Sequence, residues 1–252
     1  MDTNLKNLIN KIKSKKYKTL SDDLIELEIE NYLKSNIKAT EKQIIKAVKG
    51  RLHKIYGSFQ IKKRKKRGKY IKDPKKALGT NLSTKERINI YKELYKKIFQ
   101  ITGKPKTILD IGAGMNPISY KFLGVKPKYI AIEIDKEDVK FLNNFFKINK
   151  INGKAILMHI NEKNIKKLPK SDLTFLFKAI DPIEIKKGHK LAEKLVKELK
   201  SKNIIISFPT KTISQKQMNY PQRGWIEQML KRLKLEFKIL KYPNEIFYII
   251  KK

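Results

Sequence analysis

The sequence predicts an α/β fold, in which helices cover a mostly parallel sheet and a smaller helical domain precedes it. The chain has 252 residues, 40% of them hydrophobic, which is enough for one sizeable core or two modest ones. From residue 107 onward, short apolar runs alternate with helical patterns, an order typical of βαβ crossovers. From Leu5 to Gly57, apolar residues recur at helical spacing.

The N-terminal segment is predicted to form three short helices. Their apolar positions lie within residues 5–12, 24–33 and 44–55. Ser21 and Thr40 stand where the second and third helices would have N-caps, and Gly57 would end the third. We therefore place a helical domain at residues 1–80 and a sheet-containing domain at residues 81–252.

The second domain is predicted to begin with a helix and to continue with seven strands. Ser83 and Glu86 have the spacing of a capping box, and apolar residues then follow on one helix face. The strands are predicted at residues 107–111, 129–133, 155–160, 173–177, 203–207, 237–241 and 247–251. Helices are predicted between them at residues 138–149, 185–200 and 220–233. Only residues 242–245 separate the last two strands, so these should form an antiparallel hairpin.

The charge of the chain indicates a polyanionic partner. Sixty Lys and Arg against 24 Asp and Glu leave a formal charge of +36, and a compact chain tolerates this self-repulsion most easily when it binds nucleic acid. A lysine-rich composition caused by genome bias or thermal adaptation is the alternative. The chain has no cysteine, which excludes disulfides, thiol nucleophiles, Cys-ligated zinc and iron–sulfur clusters.

Membrane and secretion signals are not found in the sequence. It has no run of about 18 apolar residues, and the lysine-rich residues 1–20 lack the apolar region and cleavage site of a signal peptide. We therefore expect a cytoplasmic protein with no membrane partner.

Residues 60–76 contain the densest basic run, which we call the basic arm. Gly68 and Pro74 interrupt regular structure there, and Tyr70 offers an aromatic face. A charge run of this kind is often only a solvated segment, but the composition also suits contact with RNA phosphates. The predicted phosphate contacts are Lys62, Lys63, Arg64, Lys65, Lys66 and Arg67.

The strongest local motif runs from Thr107 to Pro117 and reads TILDIGAGMNP. An apolar strand reaches Asp110, and the glycine-rich turn after it lets the backbone approach a ligand at the carboxyl edge of the sheet. Glu133 lies nineteen residues after Gly114, where a carboxylate can accept both ribose hydroxyls of an adenosine ligand. S-adenosylmethionine enzymes use this combination. NAD binding, or a turn needed only for packing, is the alternative.

A second polar loop, Ser207 to Thr212, follows the apolar residues 204–206. The carboxyl ends of parallel strands lie on one edge of a sheet, so this loop should face the same crevice as the glycine turn. An ordinary loop shaped by Pro209 is the alternative.

Together these motifs resemble those of the Arm/Rmt-type aminoglycoside-resistance 16S rRNA methyltransferases. The resemblance depends on the helical N-terminal domain and on residues 83–87 (STKER), 109–117 (LDIGAGMNP) and 207–211 (SFPTK). It implies a Rossmann-like class I S-adenosylmethionine-dependent methyltransferase fold with an N-terminal α-helical domain. It also implies that the protein methylates N7 of guanine 1405 in 16S rRNA of the assembled 30S subunit. The protein would act as a monomer, and the methylation would confer aminoglycoside resistance.

The resemblance further implies roles for individual residues. Arg87 would pair with the methionine carboxylate of S-adenosylmethionine, Glu133 would bind the ribose, and Asn161 stands where the family usually has an acidic residue near the adenine amine. The implied cofactor contacts are Arg87, Asp110, Gly112, Ala113, Gly114, Asn116, Glu133, Ile134, Asn161 and Phe177.

The target side is implied in the same way. Lys178 and Lys211 would face the target nucleotide, and His53, Met218 and Trp225 would contact RNA outside the basic arm. A surface or packing role is the alternative for His53. The family's glycine- and arginine-rich stretch before Met218 is replaced here, so specificity could differ at this loop.

The expected chemistry needs neither a general base nor a metal. Guanine N7 has an in-plane lone pair and no proton, so catalysis would consist mainly of alignment and base flipping. Methylation of adenine N1 or N6 is the enzymatic alternative. A ribosome assembly factor that binds rRNA without turnover is the alternative from another class.

Overall fold

The computed structural model describes residues 3–13, 15–60, 67–184, 188–212 and 216–252. The predicted phosphate contacts Lys62, Lys63, Arg64, Lys65 and Lys66 lie outside these residues. The described residues form a helical N-terminal part followed by a seven-stranded sheet with helices on both faces, which confirms the predicted α/β class.

Three helices build the N-terminal part, as predicted: α1 (Thr3–Ile12), α2 (Asp22–Leu33) and α3 (Glu41–Ile55). Their buried apolar residues form a core of their own. Thr40 caps α3 in a capping box with Gln43. Ser21 precedes α2 in an extended conformation but makes no side-chain cap hydrogen bond.

A short helix, α4 (Pro74–Leu78), follows the basic run. Asp73 caps it by accepting a hydrogen bond from the amide of Lys76. Ala77 and Leu78 are buried in the apolar core beneath the sheet, not in the core of the helical domain. Packing therefore joins this stretch, which we had placed in the helical domain, to the sheet-containing domain.

The strands of the sheet lie in the order β3-β2-β1-β4-β5-β7-β6. Pairs among β1 to β5 are parallel, whereas β7 is antiparallel to both β5 and β6, which confirms the predicted hairpin. The strands are β1 (Thr107–Ile111), β2 (Lys128–Glu133), β3 (Gly153–Leu157), β4 (Ser171–Phe177), β5 (Ser201–Pro209), β6 (Glu236–Tyr242) and β7 (Glu245–Lys251). The chain runs outward in both directions from the β1–β4 pair, so ligands are expected at their carboxyl ends.

Helices cover both faces of the sheet. They are α5 (Leu82–Arg87), α6 (Tyr91–Thr102), α7 (Lys136–Ile148), α8 (Ile180–Ile183), α9 (Lys190–Glu198) and α10 (Gly224–Arg232). Helices α6 and α7 pack into the core on one face, and α9 and α10 into the core on the other. The strand predicted at residues 155–160 spans residues 153–157 instead.

Polar contacts fix the helical domain to the carboxyl edge of the sheet. Asp135, directly after β2, is fully buried and accepts hydrogen bonds from the hydroxyls of Thr19 and Tyr56. Arg51 of α3 donates through Nη2 to the carbonyls of Pro182 at 2.8 Å and Glu184 at 3.0 Å. The helical domain therefore sits next to the strand ends where a ligand is expected.

Candidate active site

A cavity of about 960 Å³ opens at the carboxyl ends of β1, β2 and β4. The predicted cofactor contacts on its wall are Arg87, Gly112, Ala113, Gly114, Asn116, Glu133, Ile134 and Phe177. Asp110 and Asn161 are not on the wall. Residues of α2 and α3 cover the remaining side of the cavity, which the sequence did not predict.

The glycine turn brings the backbone to the cavity. Gly112 and Gly114 have φ angles of +65° and +51°, in the left-handed region that favours glycine. A Cβ at Gly112 would lie 3.1 Å from the Cβ of Ala179, so the turn also depends on close packing. The amide of Gly114 donates to Oε2 of Glu133 at 2.7 Å, which joins the turn to the end of β2.

Asp110 is buried near the end of β1, and its expected contact with the cofactor stays a prediction. Its carboxylate accepts hydrogen bonds from Asn116 Nδ2 at 2.9 Å and from the Tyr129 hydroxyl at 2.6 Å. Burial raises the pKa of Asp110 to about 6, and these two hydrogen bonds oppose the rise. Asp110 therefore orients Asn116, which does line the cavity.

Glu133 presents a buried carboxylate to the cavity. Its two oxygens accept from the backbone amides of Gly114 and Ile134. Burial, and then the nearby charges of Asp138 and Asp135, raise the pKa of Glu133 to about 7, although the two amides favour the charged form. The carboxylate thus titrates near neutral pH while it faces the cavity.

A ligand whose hydroxyls donate to Glu133 should bind more weakly in acid. Such hydrogen bonds favour the ionised carboxylate, so binding below the pKa of about 7 requires the loss of a proton. We expect the Kd of S-adenosylhomocysteine, measured by calorimetry, to rise by about tenfold from pH 8 to pH 6. Glu133→Gln should remove this dependence. Asp110→Asn, which changes a carboxylate behind the cavity, should keep it, and an unchanged pH profile in Glu133→Gln would exclude Glu133 as its source.

Arg87 also lines the cavity and is only 2% exposed. Its Nε donates to Oε2 of Glu245 at 2.8 Å, and its guanidinium carbon lies 4.9 Å from the centre of the Phe177 ring. Among the described residues, its buried Nη2 has no hydrogen-bond partner. Buried donors are nearly always paired, so this nitrogen is suited to an anionic group of a ligand, as expected for the methionine carboxylate.

Glu245, at the start of β7, was not predicted as a site residue, because the sequence pattern predicts it in the turn before this strand. The residue is 1% exposed, and besides Arg87 it accepts from the Ser207 hydroxyl and lies 3.5 Å from Nζ of Lys178. Its only sequence signal is one carboxylate directly before the apolar residues 246–250. That signal does not show which distant cations the carboxylate meets.

Lys178 lies between the cofactor cavity and a second cavity of about 950 Å³. Its side chain is nearly buried, and Nζ donates to Oε2 of Glu86. Its backbone, at φ +53°, donates to the hydroxyl of Ser207 at 3.0 Å. Lys211 also lines the second cavity, so the two lysines predicted to face the target nucleotide share one space.

Asn161 forms hydrogen bonds within its own segment, and its expected place near the adenine amine stays a prediction. Its Oδ1 accepts from the backbone amides of Lys163 and Asn164, so its amide nitrogen points to Nε2 of His159 at 2.7 Å. His159 lines the cavity in its place. Burial lowers the pKa of His159, which favours the neutral ring, and the hydrogen bond from Asn161 leaves the ring proton on Nδ1. Sequence reasoning did not identify His159.

The residues predicted to contact RNA are found in different environments. His53 is exposed on α3, with its Nδ1 3.2 Å from Nζ of Lys16. Met218 is half-buried beside Arg223. Trp225 stacks on His189 with ring centres 3.7 Å apart, so one face of its ring is covered within the chain.

Arg67 is buried, so its expected contact with RNA phosphate is corrected. Its guanidinium forms an ion pair with Asp138 of α7 and donates to the Thr80 hydroxyl at 3.0 Å. Its side chain is 5% exposed and that of Asp138 3%. The charge pattern could not show this, because the partner lies 71 residues away.

Arg67→Ala should therefore lower stability. Removing one partner of a buried ion pair costs about 3 to 5 kcal/mol, because the remaining charge is left unpaired. Urea denaturation should show this loss, whereas Lys69→Ala, at an exposed position of the same segment, should change the free energy of unfolding by less than about 0.5 kcal/mol. A change as small in Arg67→Ala would contradict the buried pair.

No group of three or more His, Asp or Glu among the described residues could hold a metal ion. No described helix has the length and apolar character needed to cross a membrane.

Solved structures share this fold over the whole chain. The 16S rRNA methylase RmtB has a TM-score of 0.82 and 24% identity over all of both chains. The 16S rRNA methyltransferase RmtF, in complex with S-adenosyl-L-homocysteine, has a TM-score of 0.80 and 19% identity, and the match covers 100% of this chain and 99% of that one. These similarities confirm the predicted fold of S-adenosylmethionine-dependent methyltransferases with an N-terminal helical domain.

Sequence relatives support the same assignment. A Proteus mirabilis protein named 16S rRNA (guanine(1405)-N(7))-methyltransferase is 30% identical over 241 residues, covering 83% of this chain and 84% of its own. A protein with the same name from Frankia casuarinae is 22% identical over 270 residues, covering 95% and 90%. The family model described as Ribosomal RNA methyltransferase (FmrO) matches residues 13–236. The chain therefore belongs to the FmrO family of ribosomal RNA methyltransferases.

Proposed function

We propose that this protein transfers a methyl group from S-adenosylmethionine to N7 of a decoding-site guanine, the equivalent of guanine 1405, in 16S rRNA. The substrate is the assembled 30S subunit, the enzyme acts as a cytoplasmic monomer, and the product confers aminoglycoside resistance. The observation that carries the proposal is one cavity that joins the unpaired Nη2 of Arg87 to the carboxylate of Glu133 across a glycine turn.

These groups suit the two polar ends of the cofactor. Arg87 Nη2 would donate to the methionine carboxylate, and the Glu133 carboxylate would accept from the ribose hydroxyls. Gly112 and Gly114 leave room for the chain between these ends. When bound, S-adenosylmethionine supplies a methyl group that is attached to a positively charged sulfonium sulfur. This sulfur is the leaving group and becomes a neutral thioether.

Lys178 favours guanine as the target. Guanine has two adjacent acceptors, N7 and O6, whereas adenine has an amine in place of O6. An ammonium between the two cavities can donate to O6 and so hold N7 toward the methyl group. The N7 lone pair forms the new bond to carbon as the carbon–sulfur bond breaks, and no proton has to leave N7. The transfer therefore needs no general base.

The test is methylation of purified 30S subunits with radiolabelled S-adenosylmethionine, followed by mapping with strand cleavage specific for N7-methylguanine. Cleavage at the guanine 1405 equivalent supports the proposal. Label at an adenine would replace the target, and cofactor binding without any label would replace catalysis by an assembly role. Methylated subunits should also bind aminoglycosides more weakly than unmethylated ones.

A further inference from the structure

Residues of both domains line the cofactor cavity. We propose that the helical domain recognises the adenine base of the cofactor, because the carboxylate of Glu28 accepts a hydrogen bond from the exocyclic amine of adenine. This inference rests on the proposed function, because it concerns the same cavity. It gives the helical domain a part in cofactor recognition.

Helix α2 supplies part of the cavity wall. Leu24, Leu27 and Glu28 line it, together with Ile134, which follows the ribose-binding carboxylate of Glu133. Ile160 and Ile183 add apolar surface. A wall of leucine and isoleucine side chains suits the faces of a planar base, whose polar edge then needs partners from the protein.

The carboxylate of Glu28 can accept a further hydrogen bond from a ligand at this wall. It is 5% exposed, and among the described residues its ion pair is with Arg51, whose Nε lies 3.5 Å from Oε2. That separation is longer than a good hydrogen bond. Arg51 directs its Nη2 to the carbonyls of Pro182 and Glu184 instead. A hydrogen bond from a further donor would stabilise a carboxylate that is buried in this way. Burial also raises the pKa of Glu28.

The carbonyl oxygen of the residue expected to bind the adenine amine already accepts hydrogen bonds from the protein. Oδ1 of Asn161 is engaged by the amides of Lys163 and Asn164, and Asn161 is not on the wall. His159 lines the wall in its place. Adenine presents an amine donor at its edge, and a buried carboxylate on the wall matches that donor. A 6-oxo purine presents an acceptor there instead.

The test compares two ligands on the full-length protein by calorimetry: S-adenosylhomocysteine and S-inosylhomocysteine, in which a carbonyl replaces the amine. The wild type should bind the inosine analogue more weakly by about tenfold or more, because two acceptors would face each other. In Glu28→Gln the amide can donate to the carbonyl, so the preference should shrink to about threefold or less. Glu30→Gln, at an exposed position of the same helix, is the matched control and should keep the wild-type preference.

Each other outcome has a stated meaning. Equal binding of both ligands by the wild type, or an intact preference in a folded Glu28→Gln variant, overturns the inference and leaves Glu28 as a partner of Arg51 alone. Should Glu28→Gln not fold, Glu28→Asp, which withdraws the carboxylate by one methylene, must weaken the adenosine ligand more than the inosine ligand, and an equal loss overturns the inference. A wild type that binds neither ligand refutes the proposed function itself.

Discussion

Replacing Arg87 with lysine is expected to weaken S-adenosylhomocysteine binding by about 30- to 150-fold. The new ammonium can still neutralise Glu245, but it cannot keep that contact and also present a second nitrogen where Nη2 of Arg87 has no partner. Losing a hydrogen bond to a charged group costs about 2 to 3 kcal/mol, which corresponds to that change in Kd. Calorimetry on the purified full-length variant measures it directly.

Lysine is a better replacement than alanine for this test. Arg87→Ala would leave the buried carboxylate of Glu245 without its main partner, and the expected loss of about 3 to 5 kcal/mol would mix unfolding with lost binding. Lys85→Arg, an exposed change on the same helix, is the matched control and should bind like the wild type. Wild-type affinity in a folded Arg87→Lys protein would remove Arg87 from the cofactor site.

Local patterns explain why the architecture could be predicted from the sequence. The strands from residue 107 onward are short apolar runs with turn residues after them, and the alternation with helices requires parallel crossovers. The short connection before β7, which the structure reduces to residues 243 and 244, permits only a hairpin. Parallel strands then bring Gly112, Glu133 and Lys178 to one edge, whatever the details of packing.

The buried charges could not be predicted in the same way. Arg67 was expected on the surface because it ends a run of lysines, yet it pairs with Asp138 in the interior. Arg87 and Glu245 are separated by 158 residues, and no periodicity in either segment relates them. Such pairs form because buried cations need partners, but the choice of partner is made by tertiary packing.

Local sequence patterns also could not predict that the helical domain forms part of the cavity wall. Its amphipathic helices predict a core of their own, and that core is present. Placing α2 over the cavity depends on Asp135, Thr19 and Tyr56, whose hydrogen bonds join the domains two residues after Glu133. Docking of the helical domain and order at the cofactor site are therefore expected to be physically linked.

Lys178→Met should separate target positioning from cofactor binding. Methionine keeps much of the length of the side chain but cannot donate to O6 of a guanine, so N7 would lose its alignment with the methyl group. In single-turnover methylation of 30S subunits, the rate should fall by about 100-fold, which corresponds to roughly 2.7 kcal/mol in the barrier. The affinity for S-adenosylhomocysteine should stay within about threefold, since the nitrogen of Lys178 is engaged by Glu86 and Glu245, not by the groups expected to hold the cofactor.

A control is needed because Lys178→Met also leaves two carboxylates with one cation fewer. The double variant Lys178→Met with Glu86→Gln removes the excess negative charge near the cavity but does not restore the donor to O6. If the ammonium positions the base, the double variant remains as slow as the single one. Recovery of the rate in the double variant would mean that Lys178 serves only to neutralise Glu86, and the guanine preference would then have to come from Lys211 and the loop that follows it.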